Sequence, residues 1–148
     1  MISGGDSDTA GYYGMLFLQT FGACLLLVLT TVLFSNPWNS WKLLGLALAL
    51  PSLVFFLAAR IQLGRSFSIE PEARRLVTRG VYSRVRHPMY VFSALYIFGL
   101  VVYSQIPWLL LIFAVLVPMQ VWRMRLEDRV LEEKFGEQYR RYKASTLW

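Results

Sequence analysis

Four stretches of this chain carry no charged side chain: residues 12–34, 43–59, 88–103 and 107–122. A helix needs about 20 apolar residues to cross a bilayer. The first two stretches meet or approach that length, and the last two lie near its lower limit, which allows steep insertion or partly interfacial placement. Polar segments separate them. Residues 35–40 form a turn with Asn36, Pro37 and Asn39, and Trp38 and Trp41 suit an interface. Residues 60–87 form a loop with seven arginines, and Ser104, Gln105 and Ile106 form a second short turn. Pro51 lies inside the second span and predicts a kink there. The pattern predicts an all-α integral membrane protein with four transmembrane helices and a charged, helix-forming tail from residue 123 onward.

The ends follow from the same pattern. Residues 1–11 are small and polar, with Asp6 and Asp8, and read as a short flexible tail. They lack the basic start and small-residue cleavage site of a secretory signal peptide, so the first span is expected to be retained. The whole reads as one domain: tail 1–11, two spans in 12–59, loop 60–87, two spans in 88–122, and a helix and tail in 123–148.

Charge then orients the spans. Of the 15 Lys and Arg residues, Lys42 lies in the first turn, seven lie in the central loop and seven follow Trp122. Four spans place loop and tail on one face, and the excess of Lys and Arg makes that face cytoplasmic, with both termini. A net charge of +6 in a soluble protein would suggest nucleic acid. Here the basic residues border apolar spans, a pattern suited to topology and lipid head groups, and no nucleic-acid motif occurs. The spans contain no Asp, Glu, Lys, Arg or His, which argues against an ion-coupled transporter. Composition agrees: 56% of residues are hydrophobic and 16% charged, against about half and a quarter in soluble domains. Cys24, the single cysteine, reads as a small packing residue, and no metal-ligand spacing is present.

Two polar features stand out at the cytoplasmic rim. Along residues 122–142, a 100° repeat sets Met124, Leu131, Phe135, Tyr139 and Tyr142 on one stripe. Asp128 falls within that stripe and Glu127 at its edge. An acid on a packing face is unfavourable unless it has a partner. Either Glu127 pairs with Arg123 four residues earlier and Asp128 with a loop arginine, or both face a polar ligand between tail and loop. Gly136 weakens the helix and marks a bend or a close approach. The second feature is Arg86-His87-Pro88. Pro88 suits the first turn of the third span, and the N–H groups of Met89, Tyr90 and Val91 would be free there to hold an anion. Taken alone, the step is also what the edge of a span looks like.

The segments Leu76–Tyr90 (LVTRGVYSRVRHPMY), Arg123–Asp128 (RMRLED) and Phe135–Tyr142 (FGEQYRRY) occur in that order, preceded by LGRSFS at residues 63–68. Together they resemble the isoprenylcysteine carboxyl methyltransferase family and its relatives, the membrane phospholipid methyltransferases. The resemblance covers more than half of the chain. It implies a methyltransferase using S-adenosylmethionine and releasing S-adenosylhomocysteine, with the cofactor held on the cytoplasmic side by Val77, Gly80, Tyr82, Arg86, His87, Pro88, Tyr90, Glu127 and Asp128. Arg86, Arg123 and Asp128 are the expected catalytic residues. Asp128 stands where the family usually has Glu, and the chain lacks the family's usual proline-rich ending.

That cofactor presents a carboxylate, an ammonium, a sulfonium and two ribose hydroxyls, so both signs of charge are needed. Arg86 is expected to hold the carboxylate, Glu127 and Asp128 the ammonium or ribose, and Tyr82 and Tyr90 the adenine or sulfonium. Arg123 would orient an anionic acceptor or brace Asp128. The partners expected are membrane lipids and an amphiphilic or lipidated acceptor entering sideways from the bilayer; the sequence carries no sign of oligomeric state. Carboxyl O-methylation of an isoprenylcysteine-like acceptor is the expected reaction: it needs no general base, whereas an amine must lose a proton, which His87 could take. Phospholipid N-methylation and thiol S-methylation stay open, with a membrane reductase or a non-enzymatic scaffold further off.

Overall fold

The computed structural model describes residues 4–34, 37–63 and 76–147. The apolar blocks form helices α1 (Gly4–Leu33), α2 (Ser40–Leu63) and α3 (Pro88–Ser104), and a long α4 (Phe113–Ser145) follows a short 3₁₀ helix at Pro107–Ile112. Another 3₁₀ turn, Gly80–Ser83, precedes α3. No strand occurs among the described residues. Ser40–Leu63 and the helical stretch beginning at Pro107 are long and apolar enough to cross a membrane, and Phe21–Leu33 and Pro88–Ser104 are shorter apolar helices.

The core is the α2–α3 pair, and small residues bring its backbones together. A Cβ added at Gly45 would lie 2.5 Å from the Tyr103 backbone nitrogen, and one at Gly99 would lie 2.6 Å from that of Ala49. Gly45 and Ala49 are four residues apart, the small-xxx-small spacing that lets membrane helices approach. Ala49, Leu53, Tyr96 and Leu100 are buried there, and Phe55 stacks on Phe92 at 5.0 Å. Helix α1 joins through Tyr96, whose hydroxyl donates to the Ala23 carbonyl at 2.6 Å.

Polar side chains close both ends of the core. At one end Lys42 is buried, donates to the Phe34 carbonyl and lies 5.1 Å from the centre of the Tyr103 ring. Asn39 and Gln105 exchange amide hydrogen bonds at 3.0 and 3.3 Å. At the other end Arg60 is fully buried and its Nε donates to Gln19 Oε1 at 2.7 Å.

Several boundaries differ from the sequence reading. Helix α1 begins at Gly4, so much of the expected tail is helical. Helix α2 runs through Pro51 and past Ala59 to Leu63, taking Arg60 out of the loop and into the helix. The fourth apolar block from Phe113 onward and the charged tail are one helix, because no turn-forming residue separates Trp122 from Arg123. The bend comes at Gly136, with φ 48° and ψ −120°, a backbone conformation favourable only to glycine. Residues 64–68 of the expected family segment, with Arg65, Arg74 and Arg75, lie outside the described residues.

Candidate active site

The site is assembled where the start of α3 meets the polar half of α4. Pro88 takes the first helical position and His87 caps it, as a residue without an N–H favours. His87 is buried, and both of its ring nitrogens face carboxylates. Nε2 lies 2.7 Å from Asp128 Oδ1, and Nδ1 lies 3.7 Å from Glu127 Oε2. Arg86 Nη1 donates to Asp128 Oδ2 at 3.2 Å. Two tyrosine hydroxyls complete the cluster: Tyr90 donates to Glu127, and Tyr139 donates to Asp128.

Asp128 is thus the hub. Burial pushes its carboxyl up, but the hydrogen bonds from His87 and Tyr139, with the nearby charge of Arg86, outweigh that and hold it at about 2. Tyr139 shifts the other way: burial first, then its bond to Asp128, keeps its phenol protonated well above the usual range. Burial pushes Tyr142 up to about 12.

A second set of bonds ties tail to loop. The Tyr142 hydroxyl donates to the Tyr82 carbonyl at 2.7 Å, and the Leu147 N–H donates to the Arg84 carbonyl at 3.0 Å. The bend at Gly136 turns the last helical segment so that Tyr139 and Tyr142 are both buried. The 3₁₀ turn is held from α2: Gln62 Oε1 accepts the Val81 N–H at 2.8 Å, and Gly80, at φ 63°, leaves room for the Gln62 amide.

The residues expected from sequence are partly brought together. Arg86, His87, Tyr90, Glu127 and Asp128 form one bonded cluster, and Arg123 stands against the Tyr90 hydroxyl. Of the two pairings weighed for the acids, Asp128 does meet a loop arginine. Tyr82 is buried and joins through its carbonyl, while Gly80 shapes the turn and Val77 lies half-buried outside the cluster. One expectation is corrected: the N–H groups of Tyr90 and Val91 are not free, because both donate to the His87 carbonyl at 3.2 Å. Two of the three expected N–H groups are thus used within the helix start. Tyr139 is the member of the cluster that the sequence assigned to packing alone. The signal that could have found it is Gly136 between the two: eleven residues of straight helix would hold Tyr139 about 16 Å from Asp128, and the bend brings its hydroxyl back. Among the described residues no group of three or more His, Cys, Asp or Glu could hold a metal ion.

Residues 40–138 match the model of the phospholipid methyltransferase family, a span that runs from the first residue of α2 to just beyond the bend at Gly136. The chain belongs to the phospholipid methyltransferase family. No curated protein matches it significantly. Family membership, with the two long apolar helices, indicates a membrane-associated methyltransferase acting on lipid-like substrates. The matched span contains every residue of the hub except Tyr139.

Proposed function

We propose that this protein transfers a methyl group from S-adenosylmethionine to the head-group amine of a phospholipid, at the cytoplasmic surface of a four-span membrane domain. The observation that carries this reading is the position of His87 between two carboxylates at the start of α3, within a chain of this family. The donor set suits such a cofactor. Arg86 Nε is a buried donor with no partner among the described residues, matched to a carboxylate. Glu127 keeps acceptor capacity beyond its bond from Tyr90. Arg86, Glu127, Asp128, Tyr82 and Tyr90 would hold it, with Val77, Gly80 and Pro88 shaping the loop around it. When bound, the cofactor supplies an electrophilic methyl group on a sulfonium.

The remaining work belongs to this chain. Asp128, 2.7 Å from Nε2, fixes a proton on that nitrogen. Nδ1, at 3.7 Å from Glu127, is beyond hydrogen-bond distance and keeps its lone pair available. His87 can therefore take the proton an amine must release before it attacks. Glu127 and Asp128 attract the ammonium form to the site. Tyr139 and Arg86 hold Asp128, and so hold the imidazole. Arg123, beside Tyr90, would meet the acceptor's phosphate. Most of the rate would come from holding the acceptor in line with the methyl group in a site that excludes water.

A second reading, carboxyl O-methylation of an isoprenylcysteine-like acceptor, draws on the ordered motifs of loop and tail. It would use Arg123 to hold the acceptor's carboxylate. Reconstituted protein, radiolabelled cofactor and three acceptors (an amine-headed phospholipid, a prenylated cysteine and a lipophilic thiol) separate the chemistries. Base-stable label on the phospholipid amine is the expected result. Base-labile label on the prenylated cysteine would replace the first reading with the second, and label on the thiol would overturn both.

A further inference from the structure

Among the described residues, three of the contacts between α3 and α4 come from α4 residues seven apart. Phe113 meets Phe98 with ring centres 6.1 Å apart, Gln120 donates to Ser93 Oγ at 3.1 Å, and Glu127 accepts from Tyr90. Seven residues return a helix to nearly the same face. One side of α4 therefore presents to α3 a hydrocarbon rung, a neutral polar rung and a charged rung, in that order toward the site. That is the order of tail, linkage and head in an amphiphile.

The middle rung has spare capacity. Ser93 donates its own proton to the Tyr90 carbonyl at 3.0 Å, so its oxygen serves Gln120 as an acceptor. This fixes the Gln120 amide with its nitrogen toward Ser93. A glutamine amide has two N–H donors and a carbonyl acceptor. Among the described residues its second N–H and its oxygen have no protein partner, and the side chain is only half-buried. A polar group in an apolar span is unfavourable without hydrogen bonds, so a ligand that met those groups would be held strongly.

Distance selects the ligand. Gln120 and Glu127 are about 10 Å apart along the helix axis, at 1.5 Å per residue. An extended glycerophospholipid places a comparable distance between its head-group amine and its ester carbonyls. In a prenylated cysteine the carboxyl lies only a few bonds from the thioether, and an unbroken hydrocarbon follows at that depth.

We propose that Gln120, oriented by Ser93, is a specificity-determining residue that donates a hydrogen bond to the ester carbonyl of the acceptor lipid while the lipid's head group lies at the Tyr90–Glu127 rung. This rests on the amine-headed phospholipid reading above. The alternative role for the pair is helix adhesion alone, as interhelical hydrogen bonds commonly serve.

The test compares an amine-headed diester phospholipid with its diether analogue, which lacks the carbonyls, using protein in bilayer nanodiscs. Wild type should show a KM about tenfold lower for the diester, the discrimination expected when a site's polar group loses its partner. Gln120→Met keeps the size without the amide and should bring the two within about twofold, with S-adenosylhomocysteine binding unchanged. Ser93→Ala should fall between. Equal KM values in wild type, or a preference that survives Gln120→Met, would overturn the proposal. Retention of the two lipids by purified protein, weighed by native mass spectrometry, needs no methyl transfer and should show the same preference and the same loss. Failure of methyl transfer would count against the proposed function, and the retention ratio would still decide the role of Gln120.

Discussion

Helix α3 meets α2 and α4 in different ways. Toward α2 it presents Gly99 and Tyr103 to Gly45 and Ala49, and the backbones themselves come into contact. Toward α4 the contact is made by side chains: an aromatic pair, an amide with a hydroxyl, and a phenol with a carboxylate. The first seam leaves no volume for anything else. The second is bridged at intervals by groups that can exchange one partner for another. A tight backbone seam and a seam of polar side chains thus share one helix, and the cluster around Asp128 lies on the α4 side.

The largest expected effect is on the first seam. Gly45→Leu should prevent α2 from meeting α3, abolishing monodisperse protein in detergent. Even Gly99→Ala should destabilise by about 1–3 kcal/mol, because backbone atoms, which cannot rotate away, occupy the new methyl's position. A tolerated Gly45→Leu would show that the seam is not tight. On the second seam the loss should be functional. Asp128→Asn keeps the shape and removes the charge that orders His87 and Arg86, and should lower methyl transfer by about a hundredfold or more. Gly136→Ala should cost about 1–3 kcal/mol, since the bend at φ 48° is strained for any side chain. Thermal unfolding and initial rates, measured together, separate these two kinds of loss.

Tyr139→Phe sharpens the comparison further. It removes a hydrogen bond to a charged acceptor while keeping the ring, and should lower stability by about 1.5–3 kcal/mol. The smallest effect is expected in acid. The Asp128 carboxyl is held at about 2, below its ordinary 3.8. The native state therefore favours the ionised form. Its contribution is fully present above the ordinary value and is lost as pH falls through about 4 toward about 2. Acid unfolding of wild type should show that loss over this window, and Asp128→Asn should lack it.

Much of this was legible in the sequence, for reasons that differ by residue. Uncharged blocks located the apolar helices because the unfavourable transfer of charge into hydrocarbon is written directly into composition. Asp128 stood out as an acid on an apolar stripe, and Arg86, His87 and Tyr90 stood out through the step before Pro88. Tyr139 did not, because a tyrosine on a packing stripe looks like core until the partner of its hydroxyl is known. The free N–H groups expected after Pro88 failed for a local reason: the His87 carbonyl can accept from both Tyr90 and Val91. Arg60 was placed in the loop because a charge usually ends a span, whereas here Gln19 on α1 allows the helix to carry it inward. Gln120 was passed over because a single neutral amide does not interrupt a hydrophobic run.

The central claim is that loop and tail together form a cofactor site with Asp128 as its hub. Titration calorimetry of purified protein with S-adenosylhomocysteine tests it most directly. Wild type should bind, and Arg86→Ala and Asp128→Ala should each weaken binding at least tenfold, as expected for losing a charge-assisted contact. Ser145→Ala, remote from the hub, should bind as wild type does. Affinity unchanged in both hub variants would contradict the account.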